Sequence, residues 1–186
     1  VANPIFDIKY YAANNKHVKE KFGNDRLAIM EYYLNIGYKE ECYTTAHADL
    51  GNDFYATMGT TITSANVLSF SGTNVAMYKK DSSNNQIWHF IKKSDGTYEI
   101  INLANGLALT VENNGRDAMT NVMLAENVHA SGQRWFIYET SGGYYLRPVS
   151  STECVLDIYA ANTANGANVI VYSSNCTDAQ KFIIEK

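Results

Sequence analysis

No apolar stretch in this 186-residue chain approaches the length of a membrane span, so a transmembrane helix is excluded. Basic runs are also missing, and the formal net charge is −4, which argues against nucleic acid as the main partner. Cysteine is scarce, with three residues, and none stands in a CxxC or clustered Cys/His pattern, so no metal site or other cofactor is expected. His17, His47, His89 and His129 are scattered, and none falls in an HExxH pattern. His89 directly follows Trp88 and reads as a structural or surface residue. Cys42 and His47 lie five residues apart, which is no nucleophile–base signature by itself. Paired carboxylates of the glycosidase kind do not stand out, and the glycine-rich turns lack the strand–loop–helix context of a phosphate cradle. These absences together point away from an enzyme. The chain starts at Val1 with no charged-then-apolar leader, so an export signal is expected to be removed or to lie upstream.

What is present is a repeat. Gln86-Ile87-Trp88, Gln133-Arg134-Trp135 and Gln180-Lys181-Phe182 follow one another at a spacing of 47 residues. Asn74, Asn121 and Asn168 keep this spacing, as do Val75, Val122 and Val169. So do Ile62, Leu109 and Leu156, and Phe90, Ile137 and Ile184. Tyr98 matches Tyr145, and a loss of about four residues before Thr60 would make Tyr55 the first-copy equivalent. With 46% hydrophobic and 18% charged residues, the composition is that of a globular protein. Fourteen tyrosines among many Asn, Ser, Thr and Gly favour a turn-rich β protein.

The chain has two textures. Residues 1–50 read as a small helical module. Asp7 to Asn14 and Lys16 to Phe22 form short helices, the second ending at Gly23. Asp25 caps a third helix, with Leu27, Met30 and Leu34 on its apolar face and Gly37 at C′. Residues 53–186 alternate in short apolar runs, punctuated by Asp95-Gly96, Asn105-Gly106, Asn114-Gly115, Gly142-Gly143 and Asn165-Gly166. Each repeat holds about four strands and is too small to bury a core alone. Three such units are expected to close around a pseudo-three-fold axis, with Trp88, Trp135 and Phe182 at the shared centre. Cys154 precedes the strand that carries Asp157, and Cys176 lies in the loop before Gln180. The repeat places these on neighbouring strands, so a Cys154–Cys176 disulfide is expected with Cys42 unpaired. The alternative is two buried free thiols.

The repeated Gln-x-Trp, with Asn165-Gly166-Ala167-Asn168-Val169 upstream of its third copy, resembles the ricin-type β-trefoil lectins. The resemblance covers about residues 53–186 and implies a mainly β fold, a β-trefoil with repeats at about 53–92, 93–139 and 140–186. Tyr10 to Glu41 is similar to a small helical module repeated in secreted bacterial proteins.

In ricin-type lectins an Asp early in the repeat fixes adjacent sugar hydroxyls, and an aromatic residue fifteen positions later covers the apolar face of the sugar. The resemblance assigns these roles to Asp157, an acceptor for two neighbouring hydroxyls, and Tyr172. Read singly, Asp157 could equally cap a turn and Tyr172 be an ordinary strand tyrosine. The family's Asn before the Gln is Ala179 here, so Asn175 or Asp178 is expected to supply the amide or carboxylate contact. Gln180 is expected mainly to brace the loop that carries Asp157. Thr63, Tyr78, Asn85 and Gln86 form a weaker second site in the first repeat. Thr110 and Ala125 leave the second repeat without either anchor.

The expected protein is therefore a secreted or cell-surface, non-catalytic carbohydrate-binding module, part of a larger bacterial chain. It would bind galactose- or GalNAc-type glycans without inserting into a membrane. The competing reading is a trefoil for protein–protein adhesion or docking with no sugar binding.

Overall fold

The computed structural model describes residues 16–35, 47–140, 142–151 and 153–186. Two helices come first, α1 (Lys16–Phe22) and α2 (Arg26–Asn35). Gly23, at φ 56°, ends α1 and donates its N–H to the Lys19 carbonyl at 2.9 Å. Asp25 caps α2, its Oδ1 accepting from the N–H groups of Leu27 and Ala28, each at 3.1 Å. Of the expected apolar face, Leu27 is not buried and Met30 is half-buried, while the Leu34 side chain lies outside the described residues. Leu27 is 84% exposed, whereas Val18 and Ile29 are buried. Ile29 stands about 200° around the helix from Leu27, so the two cannot share a face. The readings for Asp7–Asn14, Gly37 and Cys42 lie outside the described residues.

Twelve strands follow: β1 (Asp53–Thr60), β2 (Asn66–Ser71), β3 (Asn74–Lys79), β4 (Trp88–Lys92), β5 (Tyr98–Asn102), β6 (Ala108–Val111), β7 (Thr120–Ala125), β8 (Arg134–Thr140), β9 (Gly143–Pro148), β10 (Cys154–Ile158), β11 (Ala167–Ser173) and β12 (Phe182–Glu185). The pairings β1–β4, β4–β5, β5–β8, β8–β9, β9–β12 and β12–β1 are all antiparallel and close on themselves as a six-stranded barrel. Closure leaves the barrel no free edge. The hairpins β2–β3, β6–β7 and β10–β11 lean on one another in a triangle over one end. This is the β-trefoil expected from the repeat.

Trp88, Trp135 and Phe182 are fully buried in the shared core. Burial of an indole requires a partner for its N–H. Trp88 and Trp135 donate to the carbonyls of Leu68 and Leu109 at 3.1 and 3.0 Å. Where the hairpins meet, Asn74, Asn121 and Asn168 form a closed ring. Asn74 donates to Asn168 at 2.8 Å, Asn168 to Asn121 at 3.1 Å and Asn121 to Asn74 at 2.9 Å. Each amide donates once and accepts once around the pseudo-three-fold axis.

The register corrects the alignment of the first copy. Leu68, not Ile62, takes the place of Leu109 and Leu156, because its carbonyl receives the Trp88 N–H as that of Leu109 receives Trp135. The cross-strand pairs Ala56–Trp88, Tyr98–Trp135 and Tyr144–Phe182 are equivalent. The position expected to hold Tyr55, Tyr98 and Tyr145 is therefore held by Ala56, Tyr98 and Tyr144. The residues lost from the first copy are not before Thr60. They are missing from its hairpin, where Ser71 pairs with Asn74 across a two-residue turn led by Gly72 at φ 60°. The second and third hairpins carry a longer connection, with a single 3-10 turn at Glu112–Asn114 and at Tyr159–Ala161.

Candidate functional site

A repeated brace organises each hairpin base. The buried Gln86, Gln133 and Gln180 accept through Oε1 from the N–H groups of Asp81, Val128 and Asn175 at 2.8, 3.0 and 2.9 Å. Their Nε2 atoms donate to the carbonyls of Lys79, Glu126 and Ser173 at 2.7, 2.7 and 3.0 Å. The same Nε2 reaches one more acceptor in two copies, Thr110 Oγ1 at 3.1 Å and Asp157 Oδ2 at 2.9 Å. The glutamine thus ties the turn before the core aromatic to the end of the hairpin and, in the second and third copies, to Thr110 or Asp157 on the hairpin's first strand.

In the third repeat the braced residue is a carboxylate at the floor of a concavity of about 440 Å³. Asp157 and Tyr172 both line it, with Met119, Tyr159, Ile170 and Asn175. Asp157 is on β10, opposite Ile170, and only 6% exposed. Tyr172, two residues along β11, is 38% exposed. Burial pushes the Asp157 carboxyl above its ordinary pKa, and the bond from Gln180 partly offsets this. Gln180 occupies Oδ2, and among the described residues Oδ1 has no hydrogen-bond partner. Asn175 also lines it. Its Oδ1 accepts from the Thr177 N–H at 3.1 Å, which leaves its Nδ2 as a donor. Asp178 does not line the concavity; it pairs with Lys181 at 2.9 Å.

Ala161 and Ala179 line this site as well, and their importance shows only against the second repeat. Their counterparts at the repeat spacing are Asn114 and Gly132. There Asn114 Oδ1 accepts from the Gly132 N–H at 2.8 Å, so the side chain closes the equivalent space. A Cβ at Gly132 would fall 2.9 Å from that oxygen. The backbone is alike in both copies, with Asn113 and Asn114 at φ 54° and 52° and Ala160 and Ala161 at φ 55° and 51°. An Asn-to-Ala difference therefore opens one copy and fills the other. Ala179, noted from the sequence as a lost amide, is a small wall of the concavity. Comparing positions 114 with 161 and 132 with 179 carries this signal in the sequence.

The four residues expected to make a first-repeat site are not brought together as one. Ser69, not Thr63, matches Asp157, since Ser69 pairs with Ala76 as Asp157 pairs with Ile170. Thr63 lies in the loop before β2 and accepts from the Ala65 N–H at 3.2 Å. Asn85 contributes its carbonyl to Ser69 and Asn102. Tyr78 faces the tip of the third hairpin at Gly166. With a two-residue turn, this copy has no 3-10 wall.

The expected Cys154–Cys176 bond is absent. Cys154 is a buried free thiol, held above its ordinary pKa by burial, while Cys176 is in a disulfide whose partner lies outside the described residues. Cys154 packs in the main core and pairs with Ser173. Three residues later the loop has turned Cys176, at φ 60°, against the separate cluster of Tyr138 and Tyr145. The two sulfurs thus face different packing clusters. Among the described residues no group of His, Cys, Asp and Glu is arranged to hold a metal ion.

Residues 57–125, 84–172 and 131–186 each match the ricin-type beta-trefoil lectin domain-like family. The chain belongs to that family, and its fold supports carbohydrate binding. Flavastacin of Elizabethkingia meningoseptica is 27% identical over 121 residues, 62% of this chain, and the match spans 27% of that protein's length. Among solved structures, the designed three-fold symmetric protein ThreeFoil is similar at 29% identity and a TM-score of 0.67, covering 71% of this chain and 98% of its own. The Macrolepiota procera ricin B-like lectin, solved in complex with lactose, has the same fold, with 18% identity and a TM-score of 0.63. That match covers 75% of this chain and 99% of the lectin.

Proposed function

We propose that this chain is a non-catalytic carbohydrate-binding module that takes galactose- or GalNAc-type glycans through its third repeat alone. The observation that supports this reading is the shared concavity of Asp157 and Tyr172, open where the second repeat is closed by Asn114. Asp157 Oδ1 accepts from two adjacent hydroxyls, Tyr172 covers the apolar face of the ring, and Asn175 Nδ2 donates from the opposite lip. The lactose and GalNAc complexes of structurally similar lectins favour this class of sugar. The match to only 27% of Flavastacin favours a module of a longer, secreted bacterial chain that brings another domain to glycans. Glycan-array screening followed by NMR titration of galactose tests it. Chemical-shift changes confined to the third repeat are expected. Changes centred on Tyr78, or none with any glycan, would overturn it, and the second outcome leaves the protein-docking trefoil.

A further inference from the structure

A single sugar ring held by Asp157 and covered by Tyr172 leaves much of the concavity unaccounted for. Met119 is 52% exposed and Tyr159 is 46% exposed, and both line the same space. They come from different places. Tyr159 opens the 3-10 turn just past β10, two residues beyond Asp157. Met119 belongs to the second repeat. Its N–H donates to the Val171 carbonyl at 2.9 Å, and its backbone is held at φ 72°, a conformation rare for a side chain of this kind. The bond fixes Met119 alongside β11, next to the strand position of Tyr172. The small apolar Ala160 and Ala161 of the turn line the same space. Large apolar side chains left in solvent around a polar anchor mark a surface that a ligand covers.

Resting on the carbohydrate reading above, we propose that Met119 and Tyr159 form a second subsite for the next sugar of the same glycan. The site is then selective for a disaccharide or longer chain over a monosaccharide. The anchored terminal sugar spends its hydroxyls on Asp157 and Asn175 and one face on Tyr172. Its glycosidic neighbour lies over the outer lip, with its C–H face on the Tyr159 ring and its exocyclic methylene against the Met119 thioether. Both contacts are apolar and adaptable, so they read the length of the glycan more than its hydroxyl pattern. The subsite spans two repeats, since one wall is supplied by the repeat that lacks a site of its own.

The test is calorimetric or NMR titration of galactose and of lactose into the whole chain and into Met119→Ser, Tyr159→Ser and Asp157→Asn. Both subsite side chains are exposed, and an unchanged amide NMR fingerprint verifies the fold of each variant. The wild type is expected to bind lactose roughly tenfold more tightly than galactose. In Met119→Ser and Tyr159→Ser that preference falls to within about twofold while galactose affinity holds. Asp157→Asn loses both sugars. Equal affinity for the two sugars in the wild type, or a preference untouched in both variants, would overturn the subsite and leave the anchor standing. Failure of the wild type to bind either sugar would overturn the anchor as well.

Discussion

Replacing Asp157 with asparagine separates what this residue does for the fold from what it does for a ligand. The amide keeps the shape, and its oxygen still accepts from Gln180 Nε2, now 2.9 Å from Oδ2. What disappears is the charge, which burial already disfavours, as the raised pKa shows. Stability is therefore expected to stay level or rise slightly. Binding fares differently. A hexose has about a dozen non-hydrogen atoms, and at roughly 0.3 kcal/mol each the free energy is about 4 kcal/mol, a Kd near 1 mM. Loss of one charged hydrogen bond costs roughly 1.5–3 kcal/mol, a factor of about 10–150. The variant Kd thus lies between roughly 10 and 150 mM, beyond ordinary titration. The acid side gives a second readout. Binding needs the ionised carboxylate, so affinity falls as pH drops through a pKa above the ordinary Asp value. The sugar-free protein moves the other way. Its folded-state pKa is raised, so protonation relieves the buried charge and stability gains as pH falls through that pKa. NMR titration of sugar at several pH values, with thermal melts alongside, checks both. A variant that binds like the wild type, or melts well below it, would refute this account of Asp157.

Tyr172→Ala should weaken sugar binding by roughly 1–2 kcal/mol through lost apolar contact and leave the melting temperature nearly unchanged, checked by calorimetry and thermal melts. Glu99 is buried and bonded by Asn127, His129 and Lys93; burial pushes its carboxyl up, but these partners outweigh burial and hold it below its ordinary value. Its contribution is present above the unfolded-state pKa and lost as pH falls through the lowered folded one, so Glu99→Gln should flatten the acid limb of a stability–pH profile and lower stability near neutrality by about 1–3 kcal/mol. Asn121→Ala opens the amide ring, leaves the Asn74 oxygen and the Asn168 amide unmet, and should cost about 1–3 kcal/mol in denaturant unfolding. Non-reducing peptide mapping should find Cys176 in a disulfide and Cys154 as a thiol that alkylates only on unfolding.

The architecture was legible because a trefoil repeats its core contacts. A period that returns Gln, a core aromatic, Asn and Val in register is the imprint of one brace, one aromatic centre and one amide ring used three times. Residues that serve the shared core therefore announce themselves. The first copy was misread because a gap-free match over Asn74–Trp88 hides a deletion just upstream, and only strand pairing shows that Leu68 and Ser69 sit where Ile62 and Thr63 were expected. Asp157 and Tyr172 could be located by spacing, and they do share one concavity. The space between them could not be read the same way. It depends on what is small, Ala161 and Ala179, and on a methionine contributed by a neighbouring repeat. Cysteine pairing failed for a related reason. Adjacency in the repeat places Cys154 and Cys176 near the same hairpin, but the left-handed residue at Cys176 turns it toward another packing cluster.

The two-residue turn at Gly72 and Thr73 shows that the barrel is indifferent to how far each hairpin reaches beyond its last paired residue. Barrel strands and amide ring are complete in all three copies, whether the hairpin tip is a tight turn, a turn plugged by Asn114 or a turn left hollow by Ala161. Valence is accordingly a property of tips and not of the scaffold. Grafting the segment from Tyr159 to Asn168 in place of Ser71 to Asn74, together with Ser69→Asp, would reproduce the third tip on the first hairpin and keep the Phe70–Val75 pair in register. Shortening the third tip would remove the existing concavity just as cleanly. If the third tip binds as proposed, a protein built this way can gain or shed binding sites one copy at a time, and its avidity would change in whole steps while its folding stays put.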